Sequence, residues 1–316
     1  MAADKKTLIA LSIAALVLVS AAASPNHQIT KSPHPTRIIS LVPAVTEMLY
    51  EIGAGERVVA VSSYDTYPPQ VKRLPNVGAL LDPNIELILS LKPDLVIVYG
   101  SQTDLKQQLA RAGIGVFDYR HAGLADVTAT IRALGDRTGD GDKAAELARR
   151  IERGLDEIQQ KVTGRPRPRT LLVFGRERLA LRGIYASGGI GFLDDMLRVA
   201  GGINVFADVK MQAVQASTEQ ILAHRPDVVI EARATNSAFP SGDVQAERKV
   251  WDAVASIPAV RNNRVLFLFD DRIVIPGPRV VEGTRAMAKA IHPELFGATG
   301  AEQATARRGA PGAERR

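Results

Sequence analysis

The chain has 316 residues, of which 46% are apolar and 23% are charged, so it is long enough and apolar enough for two globular domains. Its formal net charge is +6, but half of that charge falls in residues 1–23 and 297–316, so the basic charge is weak evidence for a nucleic-acid partner. No cysteine is present, and this excludes structural disulfides, thiolate metal sites and a lipid anchor attached to a cysteine.

The N-terminus carries the pattern of a secretory signal peptide. Lys5 and Lys6 precede an apolar stretch that runs from Leu8 to Ala23 and ends in an Ala-x-Ala pattern. We therefore predict a signal peptide over residues 1–23 and a periplasmic or secreted protein after its cleavage. An uncleaved membrane anchor is the alternative, because the stretch is close to the shortest length that spans a bilayer.

Strands and helices alternate in the next part of the chain. Apolar, β-branched runs predict strands at residues 38–42, 58–61, 95–99 and 116–119, with helices between them. Such an alternation indicates a mostly parallel sheet that is covered by helices. We assign residues 37–140 to an N-terminal α/β lobe.

One pattern occurs twice in the chain. Residues 84–97 and 217–230 share the frame Glu-x-Ile-Leu-x-x-x-Pro-Asp-[Leu/Val]-Val-Ile, which predicts a short amphipathic helix, a turn and a buried parallel strand. Copies so far apart indicate two similar lobes with one copy each. The frame pairs Glu86 with Glu219. A first-turn glutamate is ordinarily a solvated residue, but the same carboxylate in both lobes suits docking onto a two-fold basic partner.

A single amphipathic helix is predicted between the lobes, because apolar residues recur at helical spacing from Leu147 to Val162. We predict a connecting helix over residues 141–163 and a C-terminal α/β lobe over residues 168–292. Residues 297–316 have hardly any apolar bulk and predict a disordered tail. The predicted fold class is α/β, with two Rossmann-like lobes, one long rigid helix that joins them, and a ligand cleft between the lobes.

Sequence signatures of enzymes are absent, since there is no Gly-x-Ser-x-Gly, no His-Glu-x-x-His and no phosphate-binding loop. The five histidines are scattered, so no metal site is predicted. Polar residues after predicted strands are better candidates for ligand contacts, because open α/β sheets bind ligands there. They are Tyr64, Tyr67, Tyr99, Asp271 and Arg272. An ordinary packed turn explains each of them equally well when it is taken alone. Trp251, the only tryptophan, is assigned to the core.

Three segments of the first lobe resemble a known family. They are Arg37-Ile38-Ile39-Ser40-Leu41-Val42-Pro43-Ala44-Val45-Thr46-Glu47, Ser62-Ser63-Tyr64-Asp65-Thr66-Tyr67-Pro68-Pro69-Gln70 and Leu91-Lys92-Pro93-Asp94-Leu95-Val96-Ile97. With the export signal, the connecting helix and the paired glutamates, they resemble the helical-backbone (class III) periplasmic solute-binding proteins of ABC importers for cobalamin, ferric siderophores, haem and some metal ions. The cobalamin (vitamin B12)-binding members are the most similar, and the resemblance covers about residues 37–292.

The resemblance implies a monomeric binding protein that has no catalytic residues, no cofactor of its own and no nucleic-acid partner. It implies that Glu86 and Glu219 form salt bridges with arginines of an ABC permease dimer in the inner membrane. Cleft-lining residues are implied in both lobes: Pro43, Tyr64, Tyr67, Tyr99 and Asp271. The implied cargo is a metal chelate, in the first place cobalamin or a related corrinoid.

The chain departs from the cobalamin binders at several cleft positions. Where those proteins present tryptophans to the ligand, this chain has Leu80, Tyr99 and Ala213. In the second-lobe loop, Ile275 stands where an arginine is expected. These differences bear on the identity of the ligand and not on the transport role.

Two arginines favour a second choice of cargo. Arg272 and Arg279 could meet the carboxylates of haem or of an acidic siderophore. The rival from another class is an enzyme of chelate metabolism, in which Asp271 and a tyrosine act as acid–base groups.

Overall fold

The structure of the protein is a computed structural model that describes residues 34–120, 122–235 and 244–297. The predicted signal peptide at 1–23 and the predicted tail at 297–316 lie outside these ranges, apart from Gly297. Both therefore stay predictions.

A four-stranded parallel sheet forms the N-terminal lobe. Its strands are β1 (Ile38–Ser40), β2 (Val58–Val61), β3 (Leu95–Tyr99) and β4 (Gly115–Tyr119), in the spatial order β2-β1-β3-β4. The helices that connect and cover them are α1 (Pro43–Glu51), α2 (Ile85–Ser90), α3 (Thr103–Arg111) and α4 (Leu124–Thr138). Because every pair is parallel, the carboxyl ends of all four strands lie at one edge of the sheet.

The C-terminal lobe holds a larger sheet whose strands run in both directions. Its strands are β5 (Arg169–Gly175), β6 (Ile184–Ser187), β7 (Ile203–Asn204), β8 (Ala213–Ala216), β9 (Val228–Arg233) and β10 (Val265–Phe269), in the order β10-β9-β5-β6-β8, with β7 beside β5. β5 pairs parallel with β7 and β9, and β9 pairs parallel with β10, whereas β6 pairs antiparallel with β5 and β8. The connection from β5 to β6 is too short for the helical crossover that a parallel pair needs.

The helices of this lobe are α6 (Phe192–Val199), α7 (Thr218–His224), α8 (Val244–Lys249), α9 (Pro258–Arg261), α10 (Asp271–Val274), α11 (Val280–Ile291) and α12 (Pro293–Phe296). A short 3-10 helix, Val250–Val254, follows α8.

One continuous helix, α5 (Gly141–Val162), follows the first lobe and packs against α4, α6 and α11. Gly154 lies near its middle, where an added Cβ would come within 2.7 Å of Val281 Cγ1 on α11. The absence of a side chain therefore allows α11 to approach α5 closely. This contact explains why a residue of low helix propensity stands inside a long helix.

The largest cluster of buried apolar side chains is continuous across both lobes. It includes Val45 and Ile97 in the first lobe, Ile151 of α5, and Ile230 and Met287 in the second lobe. We call this cluster the inner core. Its continuity means that α5 is packed into both lobes rather than merely linking them.

Two further clusters lie beneath the outer helices, one in each lobe. The first packs Ile88 of α2 against Val96 of β3. The second packs Ile221 of α7 against Val229 of β9 and contains Trp251, which is fully buried. The assignment of Trp251 to the core is thus confirmed.

The repeated frame is anchored in the same way in both lobes. The Asp94 carboxylate accepts hydrogen bonds from the backbone nitrogens of Thr36 (2.8 Å) and Arg37 (3.0 Å), at the start of β1. Asp227 accepts one from the backbone nitrogen of Arg169 (3.0 Å), at the start of β5. In each lobe the aspartate of the Pro-Asp turn therefore fixes the start of the neighbouring strand.

In each copy of the frame, an arginine at the start of the neighbouring strand also binds the end of the helix. The Arg37 guanidinium donates from Nε to the carbonyl of Leu91 (3.0 Å), and the Arg169 guanidinium donates from Nε to the carbonyl of His224 (3.1 Å). These carbonyls lie at the ends of α2 and α7. The duplication is therefore a duplication of geometry as well as of sequence.

Candidate functional site

A cavity of about 180 Å³ lies between the two lobes. Its wall in the first lobe consists of Val42, Pro43, Ala44, Tyr99 and Tyr119, and its wall in the second lobe consists of Phe192, Val274, Ile275 and Pro276. Two of the predicted site residues, Pro43 and Tyr99, are thus brought together there. The described lining of this interlobe cavity is apolar and aromatic.

Local structure explains how the first lobe presents this wall. Pro43 is the first residue of α1, a position where its fixed φ and missing N–H are favourable. Tyr99 and Tyr119 end the adjacent strands β3 and β4 and are register partners. Their rings meet edge to face, with centroids 6.0 Å apart and an interplanar angle of 69°. The strand ends therefore hold an aromatic pair against the opening between the lobes.

A second cavity, of about 490 Å³, lies in the C-terminal lobe. Its lining residues are Phe174, Ile190, Gly191, Phe192, Leu193, Gln212, Ala213, Arg233, Ala234 and Val274. Phe192 and Val274 line both cavities, so the two spaces adjoin. Gly191 precedes α6 with φ of 99°, a conformation that favours glycine, and so turns the chain between Ile190 and Phe192. We call this space the C-lobe cavity.

The two cleft tyrosines are held in their neutral form. Burial raises the pKa of Tyr99 to about 12, and the nearby Asp65 carboxylate adds to the increase. Burial, with a further contribution from Tyr99, also raises the pKa of Tyr119. Both phenols are therefore protonated at neutral pH, and both residues line the interlobe cavity.

An ion pair joins the two lobes. Arg279, immediately before α11, donates from Nε to Oε2 of Glu47 in α1 at 2.9 Å, and its guanidinium carbon lies 4.0 Å from the centre of the Tyr67 ring. Burial raises the pKa of Glu47, since it outweighs the attraction of Arg279, and the carboxylates of Asp271 and Asp65 raise this pKa further. Arg279, predicted as a ligand contact, already compensates a buried carboxylate of the other lobe.

The remaining predicted contacts lie outside the described linings of both cavities. Tyr64 follows β2 and is 66% exposed. The Asp271 carboxylate accepts hydrogen bonds from the backbone nitrogen (2.8 Å) and the hydroxyl (2.7 Å) of Thr235. The Arg272 guanidinium binds Asp270 through Nε (2.8 Å) and through a terminal nitrogen (2.7 Å). The roles of Tyr64, Tyr67, Asp271, Arg272 and Arg279 in ligand binding stay predictions.

Glu86 and Glu219 occupy equivalent positions. Each is the second residue of its helix, α2 or α7, and each side chain is exposed. The preceding residues Asn84 and Ser217 cap these helices with their side chains. A hydrogen bond from its own backbone amide and one from Ser217 lower the pKa of Glu219. Each lobe thus presents one carboxylate to solvent at a helix N-terminus, and docking to a permease stays a prediction.

Within residues 34–120, 122–235 and 244–297, no three His, Cys, Asp or Glu side chains converge in a way that could hold a metal ion. Over that same part of the chain, no helix combines the length and the apolar character that a bilayer crossing requires.

Comparison with known proteins decides the family. The sequence profile of the periplasmic binding protein family matches residues 38–271. An ABC transporter substrate-binding lipoprotein of Bacillus subtilis, YvrC, described as uncharacterised, is 33% identical over 276 residues, which cover 86% of this chain and 84% of the relative. The chain belongs to the periplasmic binding protein family.

Solved structures of this family are similar throughout the two lobes. The periplasmic vitamin B12-binding protein BtuF of Vibrio cholerae has a TM-score of 0.69 and 26% identity, and the match covers 82% of this chain and 97% of BtuF. The haem-binding protein RhuT from Roseiflexus has a TM-score of 0.70 and 28% identity, over 82% of this chain and 98% of RhuT. The predicted class III solute-binding protein with two α/β lobes is therefore confirmed.

The binding protein is thus an extracytoplasmic substrate-binding component of an ABC transporter, and its transport partner is an ABC permease. It is a binding protein and not an enzyme, so the enzyme of chelate metabolism is excluded. Unlike the lipoprotein of Bacillus subtilis, this chain has no cysteine to which a lipid could be attached.

Most of the apolar cleft wall was not among the predicted site residues. Phe174, Phe192 and Val274 have no feature in the sequence that separates them from core residues. Arg233 is different, because Glu231 and Arg233 lie two positions apart within the otherwise apolar strand β9. Residues at that spacing share one face of a strand, and paired charges in a buried strand are a signal that sequence reasoning could have used.

Proposed function

We propose that the binding protein captures a bulky metal chelate, in the first place cobalamin or a related corrinoid, and delivers it as a monomer to an ABC permease dimer. The cargo sits against the interlobe cavity and the C-lobe cavity. Glu86 and Glu219 contact arginines of the two permease subunits. Export through cleavage of a signal peptide over residues 1–23 belongs to the same proposal.

The lining of the two cavities supports this choice of cargo. The described lining residues include no His, Cys, Met, Asp or Glu. Side chains of this kind suit a ligand whose metal is already fully coordinated by its own chelator. A corrinoid in which both axial positions are filled is such a ligand. Free metal ions, which need donor atoms from the protein, fit this wall poorly.

The match between the lobes supports the docking role. The helices that carry Glu86 and Glu219 are each fixed to the neighbouring strand by an aspartate and an arginine in equivalent positions. Two exposed carboxylates on equivalent helices present a pseudo-symmetric surface to a two-fold symmetric partner. Similarity to a vitamin B12-binding protein supports the corrinoid in particular.

A ferric siderophore or haem is the second candidate cargo. Similarity to the haem-binding protein RhuT favours haem, and the exposed phenol of Tyr64 is a group that could reach an open axial position of haem iron. Carboxylates of either cargo could bind to Arg233 in the C-lobe cavity.

The test is a calorimetric titration of the purified protein with cyanocobalamin, dicyanocobinamide, haemin and a neutral ferric hydroxamate. We expect one-to-one binding of the two corrinoids in the micromolar range or tighter, with the chelate recovered unchanged. Binding of haemin or of the siderophore without binding of either corrinoid would replace the first choice of cargo by the second.

A pair of variants ties the measured affinity to the cleft. Phe192→Ser should weaken binding about 10- to 100-fold, because Phe192 lines both cavities. Leu81→Ser removes a side chain that is 93% exposed and lines neither cavity, and it should bind like the wild type. Equal effects of the two substitutions would place the cargo elsewhere on the protein.

A further inference from the structure

A network of buried charges lies behind the C-lobe cavity. Glu231 and Arg233 lie on the same face of β9, and a terminal nitrogen of Arg233 donates to Glu231 Oε2 at 2.8 Å. The Arg176 guanidinium, at the end of β5, reaches Oε1 of Glu231 (2.9 Å) and Oε2 of Glu247 (2.8 Å). All four residues are at least nine-tenths buried. Two guanidinium groups and two carboxylates thus compensate each other inside the lobe.

The only tryptophan is part of this network. Trp251 is fully buried, and its indole Nε1 donates to Oε1 of Glu231 at 2.7 Å. Glu231 therefore accepts from Trp251 and Arg176 through one carboxylate oxygen and from Arg233 through the other. Arg233 and the indole N–H thus share one carboxylate as their acceptor.

The two arginines have different surroundings. Arg176 is directed back into the protein, where it also donates to the backbone carbonyls of Glu177 (2.9 Å) and Glu247 (3.3 Å). Arg233 lines the C-lobe cavity, whose other described lining residues are apolar except for Gln212. The network thus has an internal side at Arg176 and a side at Arg233 that a ligand can reach.

We propose that Arg233 is the cargo-binding guanidinium of the C-lobe cavity and that it binds an oxygen acceptor on the periphery of the chelate. Through Glu231, the binding of cargo to Arg233 also changes the hydrogen bond that the Trp251 indole donates. This inference rests on the proposed function. The ligand class is a chelate that combines an apolar ring face with peripheral carbonyl, phosphate or carboxylate oxygens. The ring face packs on Phe174 and Phe192, and the acceptor meets the planar donor groups of Arg233.

The network also explains how a guanidinium that binds a ligand can be buried without a large loss of stability. A buried charge requires a partner, and Glu231 is a partner of Arg233 within the protein itself. If Arg233 is replaced, Glu231 still has Arg176 and Trp251 as donors, so the fold retains its central acceptor. A substitution at Arg233 should therefore affect the ligand more than it affects the fold.

The first test compares three variants by calorimetry with cyanocobalamin, dicyanocobinamide and gallium protoporphyrin. Arg233→Gln should weaken binding of the cargo about 10- to 100-fold, the loss expected for a charge-assisted hydrogen bond, and Arg233→Lys should recover part of it. Arg178→Gln is the matched control, because Arg178 approaches Glu247 at 4.0 Å but does not line the cavity, and it should bind normally. Unchanged affinity in Arg233→Gln would overturn the inference.

The probes also identify the acceptor on the chelate. Cyanocobalamin carries amide carbonyls and a phosphate, dicyanocobinamide carries the amides without the bridging phosphate, and the porphyrin carries carboxylates. An effect of Arg233→Gln on both corrinoids indicates amide recognition, and an effect on cyanocobalamin alone indicates the phosphate. An effect on the porphyrin alone indicates a carboxylate.

The second test follows the tryptophan instead of the affinity. Because the chain has one tryptophan, its amide-proton spectrum contains a single indole resonance, and the three probes are diamagnetic. Addition of the bound chelate should move this resonance in the wild type and in Arg178→Gln, and should leave it nearly unmoved in Arg233→Gln saturated with ligand. Binding to the wild type without any shift would overturn the coupling to Trp251. If the wild type binds no chelate at all, the proposed function fails and this inference fails with it.

Discussion

The layer between the sheet and the outer helices differs between the two lobes. In the N-terminal lobe it is built from apolar side chains such as Ile88 and Val96. In the C-terminal lobe the corresponding layer also holds Arg176, Glu231 and Trp251, which form a charged network. Yet α2 and α7, which cover these layers, are anchored to their strands in the same way.

This difference separates two functions within one duplicated architecture. The helix–turn–strand unit kept its geometry in both lobes, and it is the unit that carries the paired glutamates. The walls that face the cargo diverged, with the tyrosine pair Tyr99 and Tyr119 on one side and Phe174 with Arg233 on the other. Symmetry at the proposed docking face and asymmetry at the cleft fit a symmetric permease and an asymmetric cargo.

The largest expected effect tests the symmetric part. The double variant Glu86→Lys with Glu219→Lys should lower uptake of the cargo about 100-fold, because each substitution places a cation against the arginines proposed on the permease. Affinity for the cargo should stay nearly unchanged, since both side chains are exposed on the outer helices. Transport into proteoliposomes that contain the permease measures the first quantity, and calorimetry measures the second.

A control for this experiment carries the same change of charge elsewhere. Asp136→Lys with Asp252→Lys also reverses one exposed carboxylate in each lobe, but neither residue lies on α2 or α7. This variant should support normal uptake. If the glutamate variant instead loses its affinity for the cargo, the docking role is wrong.

A smaller effect is expected where the lobes meet. Arg279→Gln leaves the Glu47 carboxylate, which is 2% exposed, without its cation and should lower the free energy of unfolding by about 2–3 kcal/mol at neutral pH. Glu47→Gln should cost less, about 1 kcal/mol, since Arg279 is more exposed and can be solvated. Chemical denaturation measures both, and equal costs would contradict the picture of a buried carboxylate.

The pH dependence of this pair has a definite sign. The pKa of Glu47 is raised in the folded protein above its ordinary value of 4.5, so the folded state binds this proton more tightly than the unfolded state. The stability that Glu47 contributes is therefore fully present below pH 4.5 and is lost as the pH rises through the folded-state pKa. The deficit of Arg279→Gln relative to the wild type should shrink when the pH falls through that pKa, because a protonated Glu47 needs no cation.

A third experiment compares the two copies of the repeated frame. Asp94→Ala should cost about 1–2 kcal/mol, because its carboxylate accepts from two backbone nitrogens and from the Thr36 hydroxyl. Asp227→Ala should cost about 1 kcal/mol or less, since its carboxylate accepts from the backbone nitrogen of Arg169. Thermal and denaturant unfolding would reveal the order, and a larger loss at Asp227 would reverse the ranking.

Asp94 should also affect how the free energy of unfolding depends on pH in the acid range. Burial alone would raise its pKa, but hydrogen bonds from Thr36 and Arg37 outweigh burial and lower it below 3.8. The stability that Asp94 contributes is therefore present above pH 3.8 and is lost as the pH falls through the lower, folded-state value. Asp94→Ala should flatten the stability curve in that acid range, opposite in direction to the contribution of Glu47.

The smallest expected effect concerns the joint of α5 and α11. Gly154→Ala should destabilise the protein by about 1 kcal/mol, since the contact of the new Cβ with Val281 costs more than the gain in helix propensity. The same substitution should become neutral or stabilising in a Val281→Ala background. A cost that is equal in both backgrounds would mean that this contact does not limit the helix approach.

Sequence reasoning succeeded where the signal is local. The repeated frame predicted the helix, turn and strand of each copy, because Pro93 and Asp94 are read directly as a turn before an apolar strand. The rule that ligands lie at strand carboxyl ends pointed to Tyr99, and the family resemblance pointed to Pro43; both line the interlobe cavity. Sequence reasoning did not find the pair of Glu47 and Arg279, since these residues are 232 positions apart and only the fold brings them together.

The reversed direction of β6 was missed for a different reason. The direction of this strand depends on the length of the loop after β5, and apolar periodicity carries no information about direction. Arg233 was missed although its sequence signal existed, because the charges of Glu231 and Arg233 after an apolar run are usually taken as the end of the strand.

The inner core has a consequence for recombining this protein with its relatives. A crossover within α5 would combine one lobe with a foreign partner across apolar contacts that run from Val45 through Ile151 to Met287. Such a chimaera has to take α5 and α11 together from one parent. Otherwise, side chains of the inner core that come from different parents would not pack against each other. The outer helices α2 and α7 cover the two other clusters, so replacing either helix by that of a relative exchanges the proposed docking specificity without disturbing the inner core.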